Sequence, residues 1–383
     1  MKLNDGYFFR NKKLIRVFKF IDFLGKKTFK FNKKTEKNHH QYNNILISNI
    51  GHLGDILLSL KAIEVVREKN NNSKIFFLSS SSSYPLIKDN PLIDDVIIYD
   101  DFFLLEKKNL FSLLKCFFNY LRIVFLLRNL NIDIAFDLRA YFPNTLHLLW
   151  LGGVKNIYGY PTVGFGFVLS KKTEWIEKHE TEHMLDVLRS YYDDIPDYKS
   201  LLPINIKYLV KEVKNNLLFE KFNIKTYDYL VFHIVSRDKR KMINIKRWLD
   251  LYNYSSKKYN IVFTGNLNER KYIYEYFYED EKTKILAGEL SIGELITLTE
   301  NSKFIITIDS FIGQVVSLMN LPSIVIFSGG VNSKIFGPIG NKCIILRNEI
   351  ECAPCNYYVR NNCRFECNDI DILKKFIEIE KEL

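Results

Sequence analysis

Four short stretches of this 383-residue chain place chemically capable side chains directly after apolar runs. The first is Ile45 to Leu60, ILISNIGHLGDILLSL, in which Gly51 and Gly54 form a turn and Asp55 opens a helical pattern. Glycines there let the backbone pass tightly, and a carboxylate in a first helical turn complements the helix dipole. The second is His233 to Trp248, HIVSRDKRKMINIKRW, whose Arg237, Lys239, Arg240 and Lys241 gather positive charge after a strand-like run. Such a loop is either solvated or turned toward an anion. The third, Ile261 to Glu269 (IVFTGNLNE), ends its apolar run in Thr264 and Gly265 and carries an acid, Glu269, soon after. The fourth, Ile305 to Pro322 (IITIDSFIGQVVSLMNLP), sets Asp309 and Ser310 at the start of a helix. There they either cap the helix or share an anion with its amides. A glycine-rich stretch, Phe327 to Gly340 (FSGGVNSKIFGPIG), follows it.

These residues matter only if the surrounding elements bring them to one kind of place. Short apolar runs predict strands at Asn44 to Asn49, Lys74 to Ser79, Asp95 to Tyr99 and Ile132 to Asp137. Helical spacing predicts helices at Ile56 to Lys69, Leu110 to Leu130 and His179 to Tyr192, with loop and short strands over Tyr158 to Lys172. The pattern breaks across 193–225 and restarts. Strands are then predicted at Tyr229 to Ile234, Tyr259 to Thr264, Phe304 to Ile308 and Ser323 to Phe327, with helices between them and a last helix over Asp369 to Leu383. Alternating strands and helices indicate parallel, doubly wound sheets. The expected organisation is an α/β chain with a basic arm (1–42), a Rossmann-like domain (43–215) and a second Rossmann-like domain (225–383), the two facing across a cleft. Ligands of such sheets sit outside the carboxyl ends of the strands, where all four stretches lie.

Taken in order, the four stretches resemble the signatures of glycosyltransferase family 9, the bacterial heptosyltransferases of lipopolysaccharide core assembly. The likeness runs roughly from Asn44 to Asp371. It implies the GT-B fold and an inverting, metal-independent transfer of a sugar, heptose from ADP-heptose in the first instance, onto a lipid-linked or phosphorylated saccharide. In that light Asp55 is the general base that takes the acceptor hydroxyl proton. Lys241 falls where the family lysine sits, and a cation there opposes the charge that grows on the leaving nucleotide diphosphate. Asp309 and Ser310 hold that diphosphate at a helix N-terminus, and Gly265 and Glu269 lie by the nucleoside, with Glu269 accepting a ribose hydroxyl. Three departures stand out. Ile234 and Val235 replace a Pro-Gly pair, Phe311 replaces a glycine, and Gln314 replaces a histidine; glutamine cannot carry a proton at neutral pH. They leave open a different donor, a UDP or GDP sugar, or a catalytically silent member that binds only.

Composition fits this frame. Hydrophobic residues make up 47%, enough for two cores and incompatible with wholesale disorder. The formal charge of +11 is uneven. Residues 1–40 hold twelve Lys/Arg against three Asp/Glu, a net +9, which leaves +2 for everything else. A basic arm points to an anionic surface, here an inner membrane face rather than nucleic acid. Leu14, Val17, Phe18, Ile21 and Leu24 share one helical face of that arm. No secretory signal is read at the N-terminus, and Lys115 and Arg122 interrupt the most apolar stretch, Leu110 to Leu127, so a packed amphipathic helix is expected there. The expected location is therefore cytoplasmic and peripheral. In that compartment Cys352, Cys355, Cys363 and Cys367, within a cysteine-rich segment 343–367, are expected to be reduced thiols. Their spacing also suits a metal, but none is expected as a cofactor. His179 and His183 share a helix face without being read as ligands.

Overall fold

The computed structural model describes the chain apart from residues 1, 2, 4, 9, 10, 29–41, 105–108, 142, 202, 203, 205, 211, 212, 214, 356–362 and 383. Residues 29–41 of the expected arm thus lie outside the described residues. Contacts divide the chain into two units, Met1–Leu201 and Leu202–Leu383. Each holds a six-stranded parallel sheet.

In the first unit the elements run α1 (Lys12–Thr28), β1 (Asn44–Ser48), α2 (Leu53–Lys69), β2 (Lys74–Ser79), α3 (Tyr84–Ile87), β3 (Asp95–Ile98), α4 (Leu110–Leu130), β4 (Ile134–Asp137), α5 (Leu146–Leu151), β5 (Asn156–Gly159), β6 (Lys171–Lys172) and α6 (Glu180–Arg189). The strand order is β3-β2-β1-β4-β5-β6. The central strands are apolar on both faces because helices cover both. Leu46, Phe76, Leu78 and Ala135 meet Ile123, Leu127, Leu146 and Leu149 of α4 and α5 on one face. α2 and α6 pack together on the other.

Two expectations change here. α4 forms over its predicted span, its start capped by Asn109, whose side chain accepts from Ser112 N–H at 2.8 Å. Only Ile123, Val124 and Leu127 of α4 are buried, so the expected packed helix exists over its C-terminal half alone. α1 docks through Ile15, Asp22 and Gly25 and, from the expected apolar face, through the half-buried Phe18 and Ile21 alone, while Leu14, Val17 and Leu24 stay exposed. The reason is local. Gly25 lets the Phe167 ring approach so closely that a β-carbon would lie 2.4 Å from it. The Tyr7 hydroxyl donates to the buried Asp22 carboxylate at 2.6 Å.

The second unit runs α7 (Asn215–Phe222), β7 (Tyr229–His233), α8 (Ile245–Ser255), β8 (Asn260–Phe263), α9 (Leu267–Tyr274), β9 (Thr283–Ile285), α10 (Ile292–Glu300), β10 (Phe304–Ile308), α11 (Phe311–Leu318), β11 (Ser323–Phe327), α12 (Ser333–Phe336), β12 (Cys343–Arg347) and α13 (Ile372–Glu380). Its order is β12-β11-β10-β7-β8-β9. Phe232, Trp248, Phe263 and Phe277 form an aromatic centre between the sheet and α8 and α9, with Phe263 and Phe277 ring centroids 4.5 Å apart. The segment before α7 belongs to this unit. Ile204 N–H donates to the Leu318 carbonyl at 3.2 Å, and Gly293 of α10 sits against the Leu209 carbonyl.

At the carboxyl end of β4 the buried Asp137 carboxylate accepts from Thr145 N–H (2.8 Å), Thr145 hydroxyl (3.0 Å) and Arg139 N–H (3.1 Å). Burial nevertheless raises its pKa to about 6, from an ordinary 3.8. An acid whose folded pKa is raised adds stability below the unfolded value, and that contribution is lost as pH rises through the folded value. Relative to Asp137→Asn, which cannot ionise, the wild-type protein should therefore lose a few kcal/mol between pH 4 and pH 7. Urea unfolding midpoints of both proteins across that range check this, and a pH-independent difference would refute it.

Candidate active site

Each sheet grows outward in two directions from one central strand pair. In the first unit the chain leaves β1 toward β2 and β3, then returns to place β4, β5 and β6 on the other side. In the second it leaves β7 toward β8 and β9, then returns to β10, β11 and β12. Loops from the two central strands therefore diverge at their carboxyl ends, opening a crevice between β1 and β4 and another between β7 and β10. An ion pair spans each crevice.

In the first crevice Asp55 projects from the first turn of α2. Its Oδ2 accepts from His52 N–H at 2.8 Å and from Arg139 at 3.3 Å. Oδ1 makes no hydrogen bond among the described residues, and the side chain is a quarter exposed (26%), enough to meet a ligand. Gly51 is required by crowding: a β-carbon there would lie 2.3 Å from Asp55 Oδ2 and 2.5 Å from the Arg139 guanidinium. Gly54 lies inside the first turn of α2, not in a separate turn before it. Asn49 fixes the approach, accepting from Gly51 N–H (3.0 Å) and donating to the Asp55 carbonyl (3.1 Å). Nearby, the fully buried Glu180 accepts from the Tyr141 hydroxyl and meets His183 Nδ1 at 2.9 Å. Burial raises the Glu180 pKa, and the Asp55 charge raises it further. His179 and His183 stand one turn apart at the start of α6: His179 caps the helix through Thr181 N–H, whereas both His183 ring nitrogens are engaged, with Glu180 and with the Ile176 carbonyl.

In the second crevice Lys241 Nζ donates to Asp309 Oδ2 at 2.6 Å and reaches the Asp309 carbonyl at 3.4 Å. Lys241 stands in a short 3-10 turn, Lys239–Lys241, capped by Asp238. Asn368 holds that loop from far along the chain, donating to the Arg240 (3.1 Å) and Met242 (2.8 Å) carbonyls while its own carbonyl accepts from Asn244 N–H (3.0 Å). Ser310 occupies the N-cap of α11 without a side-chain capping bond. Its hydroxyl lies 3.1 Å from that of Thr307. The first amides of α11 thus keep their donor capacity for an anion. Phe311 is half-buried beside them. Gln314 is buried, its Nε2 donating to the Phe336 carbonyl at 2.8 Å and its Oε1 without a partner.

Beyond β8, Glu269 forms a capping box with Asn266. Its Oε2 accepts from Asn266 N–H at 2.8 Å and would lie 3.0 Å from a β-carbon at Gly265. Burial raises its pKa, and Arg237 opposes this. A ribose hydroxyl would have to be met by Oε1. The buried His233 at the end of β7 contacts the Thr264 hydroxyl at 3.0 Å.

Cys355 and Cys367 lie against the turn that follows β11. Cys355 N–H donates to the Gly329 carbonyl at 2.8 Å, and a β-carbon at Gly329 would lie 2.9 Å from that of Cys367. Burial raises the Cys367 thiol pKa, and Cys355, Cys363 and Cys352 push it further in that direction. All described cysteines are free thiols, and no group of three or more metal-binding side chains occurs among the described residues. A cavity of about 520 Å³ lies at the opposite, amino end of the second sheet, lined by Tyr229, Asn260, Lys282 and Lys284. It is remote from the helix N-termini that would serve an anion.

The model of glycosyltransferase family 9 (heptosyltransferase) matches residues 147–367, more than half of the chain. The chain belongs to glycosyltransferase family 9. The match takes in Lys241, Glu269, Asp309 and Ser310 and begins after Asp55. Sequence comparison with curated proteins finds none that matches. Among solved structures, the family 9 glycosyl transferase of Veillonella parvula aligns with a TM-score of 0.66 at 18% identity, covering 89% of this chain and 97% of that one. ADP-heptose LPS heptosyltransferase II of E. coli gives 0.63 at 16%, covering 89% and 100%. The iron-containing dodecameric glycosyltransferase TibC of enterotoxigenic E. coli gives 0.55 at 12%, covering 89% and 77%. At such identities the likeness is one of fold, and that fold is GT-B. Family membership makes the chain a glycosyltransferase.

His233 gives a direct check on the second crevice. Burial lowers its pKa from 6.5 to about 4. A histidine held neutral contributes stability above its unfolded value, and that contribution is lost as pH falls through the folded value. Its imidazole proton resonances should stay constant from pH 8 to pH 6 and titrate near pH 4. A midpoint near 6.5 would show the ring to be solvated.

Proposed function

We propose that this glycosyltransferase moves a sugar, heptose from ADP-heptose as the first choice, onto a lipid-linked saccharide of lipopolysaccharide core or surface-glycan synthesis, inverting the anomeric centre without a metal. The observation that carries the reading is the Lys241–Asp309 pair beside the α11 N-terminus, in the crevice where an anionic ligand of such a sheet belongs. The donor heptose is suggested by the named substrate of the E. coli relative. In this scheme Asp55 accepts the proton of the acceptor hydroxyl as that oxygen attacks the anomeric carbon. The bond from that carbon to the diphosphate breaks, and the leaving diphosphate keeps the electron pair. Lys241 and the α11 amides oppose the charge that develops there. Arg139 fixes the orientation of Asp55, leaving Oδ1 for the acceptor. Glu269 Oε1 and Gly265 serve the nucleoside. The basic arm, residues 1–40, suits an acidic acceptor and the inner face of the cytoplasmic membrane, where the protein would be peripheral.

A second reading concerns the donor alone. Gln314 spends its amide on the Phe336 carbonyl, and Phe311 narrows the backbone approach to α11, so a nucleotide sugar with UDP or GDP could be the one accommodated. A thermal-shift panel of ADP-, UDP- and GDP-sugars decides between them. Stabilisation by ADP-heptose alone supports the first reading; stabilisation only by another donor supports the second.

Asp55→Asn should lower transfer turnover by about 10²–10⁴ while leaving donor affinity within a few-fold. Lys241→Ala should lower it by about 10²–10³ and weaken donor binding as well. Steady-state transfer assays with donor titration measure both. Wild-type turnover in Asp55→Asn would remove the base assignment.

A further inference from the structure

We propose that the outer faces of α4 and α1 form one docking surface for an anionic lipid bilayer, with α4 lying in the headgroup–acyl boundary. This deepens the membrane reading above and moves its main contact from the basic arm to α4. α4 turns Leu110, Leu114, Phe117, Phe118, Leu121 and Phe125 outward, at a spacing that keeps them on one face over about 22 Å of helix. They are not marginal contacts: Leu110 is 72%, Phe118 66% and Phe125 60% exposed. A stripe of large apolar side chains in water is unfavourable by about 25 cal/mol per Å². Its contiguity on one helix sets it apart from the scattered surface leucines that need no explanation.

The opposite side of α4 fixes how it can meet a bilayer. Ile123, Val124 and Leu127 are buried in the core of the first unit, against β2 and β4 residues. The helix is therefore anchored through its C-terminal half and presents its stripe sideways. That geometry suits an interfacial helix lying in the membrane plane, although α4 is long and apolar enough to cross a membrane by length and composition.

α1 lies on the same side of the sheet. Ring contacts connect the two helices, from Phe18 to Phe165 (6.1 Å), Phe165 to His147 (5.3 Å) and His147 to Tyr120 of α4 (5.6 Å). α1 leaves Val17, Phe20, Phe23 and Leu24 exposed among Lys12, Lys13, Arg16 and Lys27. Charge then selects the occupant. α4 carries Lys115, Arg122 and Arg128 and no acidic residue. The only acid on α1, Asp22, is buried and bonded to Tyr7. A second copy would bring an equal positive charge against this face. An anionic bilayer instead attracts each nearby basic residue by about 1 kcal/mol.

The test is co-sedimentation of the full-length protein with vesicles of phosphatidylcholine alone or with about one third phosphatidylglycerol. Wild type should bind the anionic vesicles and be released by carbonate at high pH. Leu114→Ser combined with Phe118→Ser and Phe125→Ser should weaken binding roughly tenfold or more. These side chains are solvent-exposed, so an unchanged thermal midpoint confirms the fold. Lys12→Glu with Lys13→Glu and Arg16→Glu should weaken only the salt-sensitive part of binding. As a second measurement, Phe118→Trp fluorescence should be quenched by acyl-brominated lipid. Unchanged binding of the α4 triple variant, no binding of wild type, or retention in the pellet after carbonate would each overturn the proposal. So would an α4-dependent dimer that ignores vesicles. The vesicles contain neither donor nor acceptor, so binding without transfer would refute only the proposed activity, and transfer without binding would refute only this surface.

Discussion

The reversal of strand order at one central pair is the constraint on which everything else depends. A right-handed crossover chain that first extends a sheet one way and then the other must separate two neighbouring loops at the strand ends. It happens twice in this protein, between β1 and β4 and between β7 and β10. Each gap receives side chains of opposite charge, Asp55 with Arg139 and Lys241 with Asp309. Neither pair is sealed in the core, so each is held by local geometry while staying open to a ligand. The helix N-termini that follow β1 and β10 then add oriented amides at the same places.

Much of this was legible because the strands nearest the centre are buried on both faces. They read as continuous apolar runs, and β2, β10 and β11 follow their predicted spans. The stretches holding Asp55, Lys241, Asp309 and Ser310 stand just after such runs, and the resemblance to the family singles out these residues within them. Arg139 obeys the same rule, two residues beyond β4, and could have been found by it. A lone arginine after a strand has no local pattern to mark it. Asn368 could not have been found that way: its role is to hold a loop more than 120 residues earlier in the chain, and no periodicity encodes such a partner. β9 has three residues and lies at a sheet edge, too short for its alternation to register.

The helices show where pattern reading fails for a different reason. A hydrophobic face predicts burial only if something is present to cover it. α4 has apolar residues on most of its circumference, and the sheet reaches only the C-terminal half. α1 is held through Ile15, a glycine and a buried aspartate, the last two being positions that an apolar-face argument discards. In the second unit, Gln314 looks from sequence like a catalytic position with the wrong residue. In the structure it ties α11 to the end of α12 through the Phe336 carbonyl, a bond that histidine would make with different reach.

The position of Asn368 ties the lysine turn to a distant part of the same unit. Ile370, Ile372 and Phe376 follow it closely and are buried in the core with Phe232, Ile306 and Ile324. The latch on the Arg240 and Met242 carbonyls is therefore seated by packing, not by the turn itself. A substitution that loosens α13 would slacken the turn that carries Lys241 without touching any residue of the crevice.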